Sequence, residues 1–200
     1  MQLVLMAEKT RRKKINREID VFQSDNPVLG ALGFVNSSAF FASMLLFIFA
    51  VPFFVPGAQL VTGTIVNATL VVGAVLLKGE KPYYLVFLPA VAQIASGLLF
   101  GPFSIFLAYL LPFIWLGNAV IVYAFKEYHA GRKINFFAVL AGSAALKAAL
   151  IFGFAMLLSN FGLVPQAILS AMGALQLATA VAGGVLAYFA LAFMKKIYGI

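Results

Sequence analysis

A stretch of twenty almost entirely apolar residues, Ala138 to Leu157, contains a single charged residue, Lys147, near its centre. Twenty residues at about 1.5 Å each make a helix that spans the roughly 30 Å hydrocarbon core of a bilayer. A lysine at this depth cannot reach water through lipid, and an ammonium there costs about 2.5–3.5 kcal/mol. We therefore predict that the stretch crosses a membrane and that Lys147 faces a cavity or a partner inside a helix bundle.

The rest of the chain has the same character. Of its 200 residues, 64% are hydrophobic and 10% are charged, whereas soluble domains have about 45–50% and about 25%. Six predicted spans cover approximately Gly33–Val55, Gln59–Leu77, Tyr83–Phe100 (with Pro89 inside), Phe103–Phe125 (with Pro112 inside), Asn135–Leu158 and Val164–Met194. The sequence therefore predicts an all-α integral membrane protein, with a six-transmembrane-helix bundle over residues 28–200 and a cytoplasmic segment over residues 1–27.

The charged residues predict the topology. Apart from Lys147, every lysine and arginine lies in the N-terminal segment or in one of three others, Lys78–Lys81, Lys126–Lys133 and Lys195–Lys196. No charge lies in the alternating connections, near Val55–Gln59, Gly101–Pro102 and Asn160–Val164. The positive-inside rule then places both termini in the cytoplasm of a multi-pass protein of the cell membrane. These short outer connections also favour a bundle of sequential antiparallel neighbours.

The N-terminal segment combines basic and apolar residues. The basic run consists of Lys9, Arg11, Arg12, Lys13, Lys14 and Arg17. Ile15, Ile19 and Phe22 follow at the spacing of one helix face. We interpret the segment as a short amphipathic helix on anionic lipid headgroups. The alternative is a solvated tail that acts only as a topology signal.

Several kinds of chemistry are excluded or disfavoured by composition. There are no cysteines and only one histidine, His129, so disulfides, Cys-ligated metals and multi-His metal sites are excluded. All six acidic residues lie in the predicted tail or cytoplasmic loops. Proton-coupled carriers and many sodium-coupled carriers use carboxylates inside the membrane. We therefore predict no enzyme activity, no cofactor and no transport driven by this chain alone.

A set of polar and aromatic residues is predicted to lie at similar depth. Its members are Asn67, Gln93, Trp115, Asn118, Lys147 and Gln176. In one interpretation these residues form a substrate site, where Lys147 pairs with an anionic group, the amides orient polar edges and Trp115 stacks on a ring. In the alternative the amides only join helices, which is the simpler reading of Asn67 and Asn118. Lys147 could also be buried as a neutral amine.

The architecture and three local runs are similar to a known family. The runs are GTIVNATL (Gly63–Leu70), LPFIWLGNAVIVYAFK (Leu111–Lys126) and AMGALQLATAVAGG (Ala171–Gly184). With six spans and no acidic residue in the membrane, the chain resembles the substrate-binding S components of energy-coupling factor (ECF) transporters. The resemblance implies a binding subunit for a vitamin or similar micronutrient, with the ligand in the outer half under the loop Pro52–Gln59.

The resemblance also implies protein partners. S components work with a transmembrane coupling subunit and two cytoplasmic ATPases, and family members contact the coupling subunit through an Ala-xxx-Ala pattern on the first span. The nearest matches here are the pairs Ser38/Ala42 and Ala39/Ser43. We therefore expect a membrane-embedded subunit that binds a small anionic metabolite. The alternatives are a scaffold or accessory subunit without a ligand site and an autonomous channel or carrier.

Overall fold

The computed structural model describes residues 33–35, 37–55, 59–100 and 104–198. This part of the chain is helical and contains no strand, which confirms the predicted all-α class. Its six longest α-helices are α1 (Ser38–Phe54), α2 (Gln59–Leu76), α3 (Leu88–Phe100), α4 (Ser104–Tyr123), α5 (Phe136–Asn160) and α6 (Ala174–Tyr198). The predicted amphipathic helix within residues 1–27, the middle of the Pro52–Gln59 loop and the Gly101–Pro102 connection lie outside the described residues.

Four helical segments of the described chain are long and apolar enough to cross a membrane. They are Gln59–Leu76, Phe106–Gly131, Phe136–Asn160 and Gln166–Ile197. Helix α1 is apolar but has only 17 residues, and α3 has 13. The protein is thus all-helical in its described part, with four helices that could span a membrane.

The third predicted span differs from the structure at its start. A short helical turn covers Lys81–Tyr84, and α3 begins only at Leu88. Pro89 therefore lies in the first turn of α3 and not inside a continuous helix. A proline is well tolerated there because the first N–H groups of a helix have no partner within it.

The helices pack around α2, which contacts α1, α4 and, most extensively, α6. Helix α5 packs against α4 and α6, and α1 packs against α3. The closest association, α2 with α6, joins helices that are far apart in the chain. The expectation of sequential neighbours is therefore incomplete, because close packing in a membrane depends on where small residues lie along each helix.

Glycines make the contact between α2 and α6 possible. A Cβ atom on Gly183 would lie 2.6 Å from the Cβ atom of Asn67 and 2.6 Å from the backbone oxygen of Thr64. A Cβ atom on Gly63 would lie 2.9 Å from Cγ2 of Thr179. The two backbones therefore approach each other across a seam that no larger residue at Gly183 could enter. This seam places Asn67 and Thr179 side by side.

Beyond Tyr123, helix α4 widens into a π-helical turn over Ala124–Gly131. The turn carries Phe125 into the core, where its ring centroid lies 4.9 Å from that of Phe136 at the start of α5. Its charged residues include Glu127, whose Oε1 lies 3.1 Å from Nη2 of the exposed Arg132. The predicted charged loop between the fourth and fifth spans is thus mostly helical.

Asn135 is the N-terminal cap of α5. Its Oδ1 accepts hydrogen bonds from the backbone N–H groups of Phe137 (2.9 Å) and Ala138 (3.2 Å). Loss of such a cap destabilises a protein by about 1 kcal/mol, so we expect Asn135→Ala to lower the free energy of unfolding by about that amount. Asn160→Ala, at the other end of α5, is the matched control. Equal stability of the two variants in detergent would contradict the assignment.

Candidate functional site

Lys147 lies inside the bundle, where only 2% of its surface is exposed. Its Nζ donates hydrogen bonds to Oδ1 of Asn67 (2.6 Å) and Oδ1 of Asn118 (2.8 Å). Both amides are also 2% exposed. The three side chains come from α5, α2 and α4, so a single ammonium joins three helices. We call Asn67, Asn118 and Lys147 the buried triad.

The two amides are held in one orientation by the groups behind them. Nδ2 of Asn67 donates to the backbone oxygen of Gly63 (2.8 Å) and makes a longer contact with Oγ1 of Thr179 (3.5 Å). Nδ2 of Asn118 donates to the backbone oxygen of Val86 (3.1 Å). Because each amide nitrogen faces a hydrogen-bond acceptor, each amide oxygen is directed towards Lys147.

The aliphatic part of Lys147 packs on the backbone of α4. A Cβ atom on Gly117 would lie 3.0 Å from Cγ of Lys147 and 2.8 Å from Cδ1 of Ile151. Gly117 therefore provides the space that lets α5 approach α4. The next residue, Asn118, is thereby brought within hydrogen-bond distance of the ammonium.

The acceptors around Lys147 are neutral. Among the described residues the acidic side chains are Glu80, before α3, and Glu127, in the π-helical turn after α4, and neither forms an ion pair with Lys147. An ammonium has three N–H donors, and the two amide oxygens account for two of them. This part of the chain therefore supplies hydrogen-bond acceptors to the buried amine of Lys147 but no side chain of opposite charge.

Trp115 lies one helical turn before Asn118 on α4 and hydrogen-bonds to the same chain segment. Its Nε1 donates to the backbone oxygen of Phe87 (3.0 Å), and its ring meets the Phe87 ring edge-on at a centroid distance of 5.2 Å. Asn118 binds the preceding carbonyl, that of Val86. Trp115 and Asn118 thus hold the segment before α3 against α4 by two hydrogen bonds.

Gln93 and Gln176 are not part of the triad. Both are half-buried, and neither side chain hydrogen-bonds to Lys147 in the described structure. Their backbone oxygens accept hydrogen bonds from Ser96 Oγ (3.1 Å) and Thr179 Oγ1 (3.1 Å). Of the six predicted site residues, the structure therefore brings together Asn67, Asn118 and Lys147, and Trp115 lies one helical turn before Asn118.

Sequence reasoning missed Thr179, which is buried on α6 and contacts Nδ2 of Asn67. A threonine inside a membrane helix usually bonds to its own backbone, so its type alone gave no signal. Its position three residues after Gln176 places it near the same helix face, which is the one feature that could have indicated it.

Two surface grooves in the described part of the chain lie away from the triad. One lies between α1 and α3, and the other lies between α4 and α5 beside the π-helical turn. Neither is lined by Lys147, Asn67 or Asn118. Lys147 itself is buried, and the acceptors described for its Nζ are the two amide oxygens.

The predicted partner-interface residues lie together on α1. Ser38, Ala39, Ala42 and Ser43 lie at or near the protein surface, and Oγ of Ser43 bonds to the backbone oxygen of Ala39 (2.8 Å). The Ser43 hydroxyl is therefore satisfied within its own helix, and all four side chains at this surface are small. Such a surface allows close approach of another helix.

No protein-family model, no curated protein and no solved structure matches the chain. The resemblance to the S components therefore stays a prediction from the sequence. Among the residues that the structure describes, no group of three or more His, Cys, Asp or Glu side chains could hold a metal ion.

Proposed function

We propose that this protein is a membrane-embedded substrate-binding subunit, of the kind found in ECF transporters, that takes up a small anionic vitamin or other micronutrient. The observation that carries the proposal is the buried Lys147, whose described acceptors are two neutral amide oxygens. A buried charge without an opposite charge is costly in a purely structural role. An anionic ligand would supply the missing charge.

The triad suggests how binding would occur. A carboxylate or similar group of the ligand would accept a hydrogen bond from Nζ of Lys147 and displace one of the amide oxygens. Hydrogen bonds between two charged groups are stronger than those to neutral acceptors. The freed amide would then bind another polar edge of the ligand. Trp115 would form an adjacent wall, and Gln93 and Gln176 would contribute hydrogen bonds after a local rearrangement.

The proposal includes a topology and partners. The chain would cross the cell membrane six times with both termini in the cytoplasm, and its N-terminal segment would lie on anionic headgroups. The small residues on the surface of α1 would contact a transmembrane coupling subunit, and cytoplasmic ATPases would supply the energy. The chain itself would bind and not catalyse.

Replacement of Lys147 by methionine tests the site. Because hydrogen bonds to charged groups contribute about 1.5–3 kcal/mol, we expect Lys147→Met to weaken ligand binding about ten- to a hundred-fold. The measurement is native mass spectrometry of detergent-purified protein, which would show a co-purified small anion on the original chain and its loss from the variant. Lys195→Met, at the exposed end of α6, is the control. Retention of the anion by Lys147→Met would reject the site.

A second candidate function is a scaffold or accessory subunit without a ligand. It is favoured by one observation, namely that the amide groups of the triad are satisfied by hydrogen bonds within the bundle. Co-purification separates the two functions, since an S component would bring down ATPase subunits and a scaffold would not. Flux through liposomes that contain this chain alone would instead indicate an autonomous channel or carrier.

A further inference from the structure

An apolar groove of about 600 Å³ runs along the surface between α1 and the start of α3. Its lining includes Phe41, Leu45, Leu46, Phe49, Tyr84 and Phe87. From Phe41 to Phe49 it follows α1 for eight residues, or about 12 Å at 1.5 Å per residue. That length is close to the depth of one leaflet, which is half of a hydrocarbon core of about 30 Å.

The groove has a basic residue at one end. Nζ of Lys81 lies 5.6 Å from the centroid of the Phe41 ring, the residue at which the groove begins on α1. Lys81 forms no ion pair with a carboxylate in the described structure, although Glu80 precedes it in the chain. Lys78 is exposed in the same connection. Tyr84 adds a phenol group, and its ring lies edge-on to Phe41 at 6.1 Å.

We infer that this groove is a binding site for an anionic phospholipid. One acyl chain would lie along Phe41, Leu45 and Phe49, and the headgroup phosphate would meet Lys81 and the hydroxyl of Tyr84. Basic and aromatic residues at the end of an apolar surface match the two parts of such a lipid, since membrane interfaces are enriched in both.

The shape of the groove favours a lipid over a protein helix as the occupant. Helices associate in membranes through small residues that let their backbones approach. The groove is lined by large side chains, and the small residues of α1, such as Ala39 and Ala42, do not line it. A thin and flexible acyl chain fits between large side chains. Leu46, which is 70% exposed, lies at the open side.

The test uses the full chain purified from vesicles that contain phosphatidylglycerol and phosphatidylcholine in equal amounts. Native mass spectrometry then counts the lipids of each type that stay bound. We expect retention of phosphatidylglycerol in preference to phosphatidylcholine. Because one lysine near an anionic surface contributes a factor of about five in affinity, Lys81→Gln should reduce the preference about five-fold. Lys195→Gln, which removes the same charge from the end of α6, should leave it unchanged.

A second pair of variants tests the acyl-chain part. Leu46→Trp should obstruct the groove and lower the retention of both lipids, whereas Leu186→Trp, on the exposed surface of α6, should not. Equal effects of Lys81→Gln and Lys195→Gln would overturn the inference. A third experiment places a photoreactive amino acid at position 46. A crosslink from this position to a partner protein or to a second copy of the chain, instead of to a lipid, would also overturn the inference. None of these results depends on ligand binding at Lys147, so the inference and the proposed function can fail separately.

Discussion

Replacing Asn67 and Asn118 together by leucine is expected to lower the free energy of unfolding by about 3–5 kcal/mol, because it leaves the ammonium of Lys147 buried without either described acceptor. Leucine is close to asparagine in shape, so the change removes mainly polarity. The backbone oxygens of Gly63 and Val86 also lose their amide donors, which adds to the cost. The measurement is unfolding of the detergent-purified protein by heat or denaturant.

Removing the charge should reverse most of this loss. The triple variant Asn67→Leu/Asn118→Leu/Lys147→Met replaces the whole buried triad by apolar groups of similar length, and replacing a complete buried charged network in this way is often neutral or stabilising. We therefore expect the triple variant to be more stable than the double leucine variant. Gln93→Leu, which removes an amide that does not bond to Lys147, is the control and should have little effect. A triple variant as unstable as the double variant would show that the ammonium is not the source of the cost.

Gly183→Val is expected to separate α2 from α6 and to destabilise the protein by about 3 kcal/mol, at the upper end of the usual cost of overpacking. A Cβ atom at this position would lie 2.6 Å from the backbone oxygen of Thr64. A backbone atom cannot move aside as a flexible side chain can, so the two helices would have to shift. Because Asn67 lies on the same seam, the shift would also disturb the triad. The measurement is the unfolding transition, together with ligand retention where a ligand has been found.

The matched control is Gly153→Val on α5, where a Cβ atom would meet no neighbouring atom within 4 Å. Both variants make the same chemical change within a helix and should gain a similar small amount of helix propensity. Their difference therefore isolates the helix–helix contact. If the two variants unfold alike, the close contact between α2 and α6 is not important for stability.

The bounds of a helix can be predicted from the sequence where its cap is recognisable, as in the fifth span. Its predicted bounds, Asn135–Leu158, nearly coincide with α5, Phe136–Asn160, because Asn135 caps the first turn. The start of the third span is predicted less well, since an apolar run that crosses Pro89 does not reveal where the helix starts. The lateral order of the helices is the least predictable. It depends on seams such as the one at Gly183, whose partner residues are far away in the chain.

The sequence predicts the depth of the site residues but not their direction. Counting residues from the ends of the spans places the amides at a similar level to Lys147, and two of them, Asn67 and Asn118, hydrogen-bond to it. The same count includes Gln93 and Gln176, whose side chains do not meet the ammonium. The rotation of each helix about its own axis determines which amides converge, and that rotation is fixed by packing between helices. Depth alone carries no information about it.

Asn118 uses both ends of its amide, the oxygen for Lys147 and the nitrogen for the carbonyl of Val86. A planar group held at two points cannot turn away from one without straining the other. The middle of the bundle is therefore mechanically linked to the connection that leads into α3. A change that breaks the hydrogen bond between Asn118 and Lys147 would therefore also weaken the one between Asn118 and Val86. A rearrangement in the middle of the bundle would in this way alter the connection that contains Lys78 and Lys81.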